Sequence, residues 1–265
     1  METVRVLVLR AAGVNCDEET AYAFELAGAG AQRVHINRLI ENPSMLEDFT
    51  ILAFPGGFSY GDDVAAGKIL ANQVVHHLVE PIRRFIENGR LVLGICNGFQ
   101  VLLKAGFLPG WDGAVGSKSF AELPVSITDN DRPQYECRWV NLEPVSDRCV
   151  FLTPGQRLCI PMAHGEGKIV TRDAAVLARL QNENYIAFRY VDAEGRTGGF
   201  PINPNGAIDS IAGLTDSTGR ILGLMPHPER HIHRTQHPHW TRLGEREPDG
   251  LTIFRNAVNY AKSHL

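Results

Sequence analysis

The sequence predicts an α/β fold, a three-layer open, mostly parallel sheet with helices on both faces and a small antiparallel addition. Three observations carry that expectation. Short apolar runs at 4–9, 50–54 and 91–95 show no polar alternation, the mark of strands buried on both faces. Amphipathic stretches stand between them, as βαβ units require. The second half instead holds short strand-like runs separated by Gly, Pro, Asn and Asp, the pattern of antiparallel pairing.

Taken in order, residues 4–9 form the first strand. A helix follows over 17–29, with Ala21, Phe24, Leu26 and Ala27 near helical spacing and Gly28 and Gly30 at its end. Residues 34–36 predict a short strand, and 50–54 another that stops at Pro55-Gly56-Gly57. Residues 64–88 carry one long amphipathic helical pattern, broken near Pro81. A fourth apolar strand spans 91–95, and a helix spans 97–105 with Gly106 at its C-terminal cap. Strand-like runs then fall at 123–128, 137–142, 158–160, 176–180, 185–190, 211–214 and 221–224. Residues 230–250 are polar and rich in His, Arg and Pro, which predicts a long surface loop. A closing helix spans 251–264. No repeat, low-complexity tract or linker divides the chain, so residues 1–265 are read as a single domain.

The composition narrows the function classes. With 44% hydrophobic and 21% charged residues, the chain is an ordinary globular one with ample core. Its net charge of -4 offers no basic excess, so neither nucleic acid nor an anionic membrane is an expected partner. The Val6-Leu7-Val8-Leu9 run between Arg5 and Arg10 is too short for a signal segment. No apolar stretch approaches the ~20 residues needed to span a bilayer, and a cytoplasmic location is expected. The five cysteines include no Cys-x-x-Cys pair, so neither a disulfide framework nor a Cys-rich zinc site is expected.

One cysteine stands out by its context. The strand 91–95 runs straight into a helix through Gly94-Ile95-Cys96-Asn97-Gly98, a nucleophile elbow with sulfur in place of oxygen. The flanking glycines relieve crowding at the sharp turn. Cys96 falls at a helix N-terminus, where the positive dipole end lowers a thiol pKa, and the Asn97 N–H points where an oxyanion forms. A cysteine nucleophile needs a base, and the base needs an orienting group. Met225-Pro226-His227-Pro228-Glu229 supplies both after the strand at 221–224. The two prolines favour an extended segment in which His227 and Glu229 face one side. Gly56-Gly57, after the strand at 50–54, is read as a second source of an oxyanion N–H or as an ordinary βα loop. Gln100, one helical turn past Cys96, is placed to bond a substrate amide or carbonyl, or is simply a polar residue near a helix start. His164-Gly165-Glu166-Gly167-Lys168 reads as a glycine-rich surface turn, with His164 or Glu166 as alternative contacts to a substrate's amino-acid end. It is no P-loop, because Met162 stands where the first Gly is required and Ile169 follows Lys168. His231, His233, His237 and His239 cluster without acidic or Cys ligand spacing and are read as part of a loop that covers the site or contacts a partner, so no metal is assigned.

Taken together these motifs resemble a known family. Gly13-Val14-Asn15-Cys16-Asp17, the tract from Pro55 to Asp63, Gly94-Ile-Cys-Asn-Gly-Phe-Gln100, His164-Gly-Glu-Gly167 and Met225-Pro-His-Pro-Glu-Arg230 are similar to the amidotransferase subunits of phosphoribosylformylglycinamidine synthase, within the class I (triad) glutamine amidotransferases. Ala11-Ala12 departs from the apolar residue and Pro expected before Gly13. The resemblance implies a flavodoxin-like fold, a catalytic triad of Cys96, His227 and Glu229, and an oxyanion hole at Gly57 and Asn97. It further implies glutamine as substrate and no cofactor in this chain. ATP and Mg would act on a partner synthetase that turns formylglycinamide ribonucleotide into the amidine in purine biosynthesis, with a small third subunit. The alternatives are an amidotransferase subunit with another acceptor and a catalytically silent regulatory module.

Overall fold

The structure, a computed structural model, describes residues 3–111 and 123–265. Its first half contains β1 (Arg5–Arg10), α1 (Asp17–Leu26), β2 (Gly30–His35), α2 (Ile36–Glu41), β3 (Ile51–Phe54), α3 (Lys68–Gln73), α4 (Val79–Glu87), β4 (Leu91–Ile95) and α5 (Asn97–Lys104). The second half contains β5 (Val125–Asp129), β6 (Glu136–Pro144), β7 (Leu158–His164), β8 (Glu166–Thr171) and α6 (Ala174–Asn182). It closes with β9 (Ile186–Val191), β10 (Ile211–Thr215), β11 (Ile221–Leu224) and α7 (Asp249–His264).

A nine-stranded sheet runs in the order β2-β1-β3-β4-β11-β10-β9-β6-β7. The first five strands are parallel to one another. The antiparallel addition continues the same sheet through β10, β9, β6 and β7, and β5 pairs with β8 in a separate ribbon. Every residue of β3, β4 and β11 is buried, which is why these strands lack polar alternation. Right-handed crossovers put α1 on one face and the helices between β3 and β4 on the other. α7 joins α1, with Phe24 and Phe254 edge to face at 4.9 Å. No helix among the described residues is long and apolar enough to cross a membrane.

Three expectations need correction. Residues 176–180 lie in α6 and not in a strand. Asp173 caps this helix by accepting the Val176 N–H at 2.8 Å, and Val176 and Leu180 bury one face at i,i+4 spacing. The helical pattern at 64–88 starts at Lys68, and its break falls before Pro81, in a π-helical turn at Val74–Leu78. The proline ring clashes with the carbonyl four residues back, at His77, so the distortion falls on the preceding turn. The expected turn at 164–168 is instead the tight passage from β7 into β8, with only Gly165 between the strands. The polar segment before α7 is pinned to the sheet: His231, Ile232 and His237 are buried, and the His231 and His237 rings pack on Trp139 of β6 at 5.0 and 4.6 Å.

Candidate active site

Three adjacent parallel strands, β3, β4 and β11, end on the same edge of the sheet, where ligands of α/β proteins bind. The loop Pro55-Gly56-Gly57 leaves β3, Cys96 leaves β4, and His227 follows β11. The register pairs Ile95 with Leu224, and the Cys96 N–H donates to the Leu224 carbonyl at 2.8 Å. Residues far apart in sequence thus meet at one place.

Cys96 has φ +50° and ψ −107°, a backbone state rare for a residue with a side chain. The elbow is locked from outside. A Cβ on Gly98 would lie 1.9 Å from the Phe54 carbonyl oxygen, so only glycine lets α5 press on the end of β3. The Cys96 sulfur is nearly buried and donates weakly to the Ala163 carbonyl at 3.8 Å. It sits in a cleft of about 460 Å³ walled by Gly57, Phe58, Gln100, Tyr135, His164 and Glu166, among others.

His227 is buried, and its backbone N–H donates to the Pro161 carbonyl at 2.7 Å. Its Nδ1 lies 2.6 Å from Glu229 Oε1, and both side chains are sealed from water. Nδ1 is therefore the protonated nitrogen, donating to the carboxylate, and Nε2 is left without a protein partner. Burial alone would lower the imidazole pKa, but the Glu229 carboxylate and the Cys96 sulfur outweigh it and hold it well above the ordinary histidine value. No hydrogen bond of ordinary geometry joins Cys96 to His227. The sulfur is nonetheless close enough for its charge to be felt. Glu229 reaches the ring from a short 3-10 turn at Pro228–Arg230, where the sequence had predicted a continued extended segment. The proline starts that turn, since its fixed φ suits a first helical position.

The remaining expected residues are also at this edge. Gly57 lines the cleft with φ +142° and forms an isolated bridge to Val14. Asn97 opens α5 with its side chain buried: Oδ1 accepts the Ser59 N–H at 3.2 Å, and Nδ2 donates to Asp62 and to Gln100. Gln100 lines the cleft while Nε2 donates to the Glu166 carbonyl at 2.6 Å. His164, read from sequence mainly as a surface-turn residue, is buried in the cleft wall. Burial, and then the charge of His227, push its pKa down to about 3, so it stays neutral. The His-rich segment contributes none of the cleft-lining residues.

Cys16 has a place here that its residues alone did not disclose. Its sulfur, a His227 ring nitrogen and a Glu229 carboxylate oxygen lie within 4.8 Å of one another, a donor set that a thiophilic cation can use. The Arg230 guanidinium donates to that sulfur at 3.1 Å and to Glu19 at 3.1 Å, which opposes a cation there. Burial raises the Cys16 thiol to about 11, so it is a neutral thiol packed behind the imidazole. A Cβ on Gly56 would meet His227 Cε1 at 2.7 Å and the Cys16 sulfur at 3.2 Å, so the loop after β3 needs glycine to pass so close. Sequence offered two signals: Gly13-Val14-Asn15-Cys16-Asp17 is among the tracts that carry the family resemblance, and it leaves a strand, β1, at this edge.

Known proteins resemble this chain in sequence and fold. Residues 3–261 match the CobB/CobQ-like glutamine amidotransferase domain. The phosphoribosylformylglycinamidine synthase subunit PurQ of Dehalococcoides mccartyi is 48% identical over 266 residues, covering 99% of each chain. Its Archaeoglobus fulgidus counterpart is 41% identical over 273 residues, covering 98% of this chain and 97% of that one. Among solved structures, a chain of PurLQS from Thermotoga maritima superposes with a TM-score of 0.72 at 28% identity, covering 98% of this chain and 99% of that one. A full-length match to the family domain, with PurQ relatives above 40% identity along almost the whole length, makes the chain a member of the CobB/CobQ-like glutamine amidotransferase family.

Proposed function

We propose that this chain is the glutaminase subunit of a phosphoribosylformylglycinamidine synthase: it hydrolyses glutamine to glutamate and ammonia through a thioester on Cys96. The observation that carries this reading is the sulfur of Cys96 at a strained elbow, facing an imidazole whose other nitrogen is bound to a buried carboxylate. Cys96 transfers its proton to His227, whose raised pKa favours the ion pair, and the thiolate attacks the carboxamide carbon. The N–H groups of Gly57 and Asn97 receive the oxyanion. His227 protonates the departing ammonia, then takes a proton from the water that cleaves the thioester. Glu229 keeps the ring oriented throughout, and Gln100 contacts the substrate from the cleft wall.

Ammonia is protonated and loses its nucleophilicity in neutral water, so it requires a nearby acceptor. The acceptor reaction assigned here is the ATP- and Mg-dependent conversion of formylglycinamide ribonucleotide to its amidine on a synthetase subunit, with a small third subunit. The multi-subunit composition of the Thermotoga maritima PurLQS supports that assembly. The chain acts as one domain, supported by a sheet that draws strands from residue 5 to residue 224. Its five free cysteines fit the reducing cytoplasm. Glutamate release from glutamine, measured with and without the synthetase, tests the reading. Cys96→Ala is expected to abolish release in both cases and leave the fold intact, and an active Cys96→Ala protein refutes it.

A further inference from the structure

The loop from Pro55 to Gly67 joins β3 to the helices that follow and contributes Gly57, Phe58, Asp62 and Ala66 to the cleft wall. Its backbone is unfavourable without support. Tyr60, Gly61, Asp62 and Gly67 all lie in the left-handed region, with φ of 55, 71, 54 and 70°, and two of them carry side chains. The support comes from a closed circuit of polar contacts. Asp62 Oδ1 accepts the Gly67 N–H at 3.0 Å and the Asn97 side-chain amide at 3.1 Å. Asn97 in turn accepts the Ser59 N–H and donates to Gln100 Oε1 at 3.0 Å. Gln100 donates to the Glu166 carbonyl, and Glu166 Oε1 accepts the Ala66 N–H at 3.2 Å, which returns the circuit to the loop. Asp62 is the member that joins the loop's own closure to the first turn of the helix behind Cys96.

We infer that Asp62 is a positioning residue for glutamine hydrolysis: acting through Asn97 and Gly67, it holds the cleft wall and the Gln100 side chain in the geometry that receives the substrate. This rests on the proposed function of the site. Asp62 works here as an acceptor of two N–H groups, so its oxygen matters more than its charge. Without it, the Asn97 amide loses one of its fixed partners, and the 62–67 turn loses the contact that closes it. Asp62, Ala66 and Gln100, which this circuit holds, line the cleft, and the Asn97 group it engages is the side chain and not the backbone N–H, so the effect falls on substrate binding more than on the chemical step.

Glutamate release across a range of glutamine concentrations, with the synthetase present, provides the test for wild type, Asp62→Gly and Asp62→Asn. Glycine accepts the left-handed backbone without strain, and asparagine both tolerates it and retains an acceptor oxygen. Asp62→Gly is expected to raise KM about tenfold or more with a smaller change in kcat, whereas Asp62→Asn stays within about threefold of wild type. KM does not depend on the folded fraction of a preparation, so a merely structural role leaves it unmoved. An Asp62→Gly protein with wild-type KM overturns the inference, as does an Asp62→Asn protein as impaired as Asp62→Gly. Wild type that releases no glutamate even with the synthetase refutes the proposed function itself.

Discussion

Replacing Gly98 with alanine tests whether the elbow is held by backbone contact between α5 and β3. The added methyl would sit 1.9 Å from the Phe54 carbonyl oxygen and 2.6 Å from its carbon. Reaching an ordinary contact of 3.4 Å requires a retreat of about 1.5 Å, and both sides of the contact are backbone. The helix cannot yield without carrying Cys96 and Asn97, and β3 cannot yield without carrying Gly56 and Gly57. Overpacking of a close-packed interior costs about 1–3 kcal/mol, and this contact belongs at the upper end because no side chain can rotate away. For a chain of this size about 3 kcal/mol lowers the unfolding midpoint by roughly 5–10 °C. The same displacement separates the two proposed oxyanion donors, and a misplacement near 1 Å costs about 10²-fold in rate. Thermal unfolding and glutamate release, measured on Gly98→Ala beside Gly199→Ala, make the test. Gly199 has nothing within 4 Å of its would-be Cβ, so that variant is expected to match wild type. A Gly98→Ala protein with wild-type midpoint and rate would refute the packing account of the elbow.

Two further predictions concern the histidines. Glu229→Gln preserves shape but offers the His227 Nδ1–H a group that also donates, so the tautomer with Nε2 able to accept a proton is no longer enforced. kcat for glutamine hydrolysis is expected to fall about 10²–10⁴-fold with KM little changed, and an unaltered kcat removes Glu229 from the mechanism. His164 is held by burial at a pKa of about 3, below the value of about 6.5 in an unfolded chain. The unfolded state therefore binds the extra proton: this contribution to stability is intact above about pH 6.5 and is lost as pH falls toward 3, the loss amounting to about 2 kcal/mol by pH 5. Urea unfolding of wild type and His164→Asn between pH 7 and pH 4.5 reads it, and parallel stability profiles for the two proteins contradict the burial argument.

The parts of this molecule that sequence disclosed are those written as contiguous patterns along the chain. β4 and β11 begin and end where their apolar runs do, because every residue in them is buried and nothing but the sheet interior suits such a run. The Gly-x-Cys-x-Gly junction was legible by its spacing after an apolar strand, although the partner that demands Gly98 is the Phe54 carbonyl of β3. Readings failed where a short pattern fits two structures or where a distant partner decided. His164–Lys168 resembles a turn from its glycines, yet it is the passage from β7 into β8, and Gly167 is small because the His164 ring lies over it, 1.9 Å from a would-be Cβ. Residues 176–180 make a short apolar run, which periodicity alone cannot assign, and the Asp173 cap settles it as helix. Cys16 gave no reason of its own to stand behind an imidazole, since that position depends on Arg230, over two hundred residues away in the chain.

Packing, more than polar contact, sets the distance between nucleophile and base. Cys96 and His227 share no hydrogen bond of ordinary geometry, so nothing between the two groups themselves fixes their separation. The register of β4 against β11 does. In it Gly94 lies opposite Gly223, and the Phe99 and Leu102 side chains of α5 settle over this pair. A Cβ on Gly223 would lie 2.1 Å from Phe99 Cδ2, and one on Gly94 would lie 2.5 Å from Leu102 Cδ1. Sliding one strand by a residue would set Leu222 or Leu224 against Gly94 and move His227 along the sheet by about 3.3 Å. It would also leave α5 no glycine floor to rest on. The two glycines that look like concessions to chain flexibility therefore act as the register mark, and the reacting atoms inherit their spacing from it.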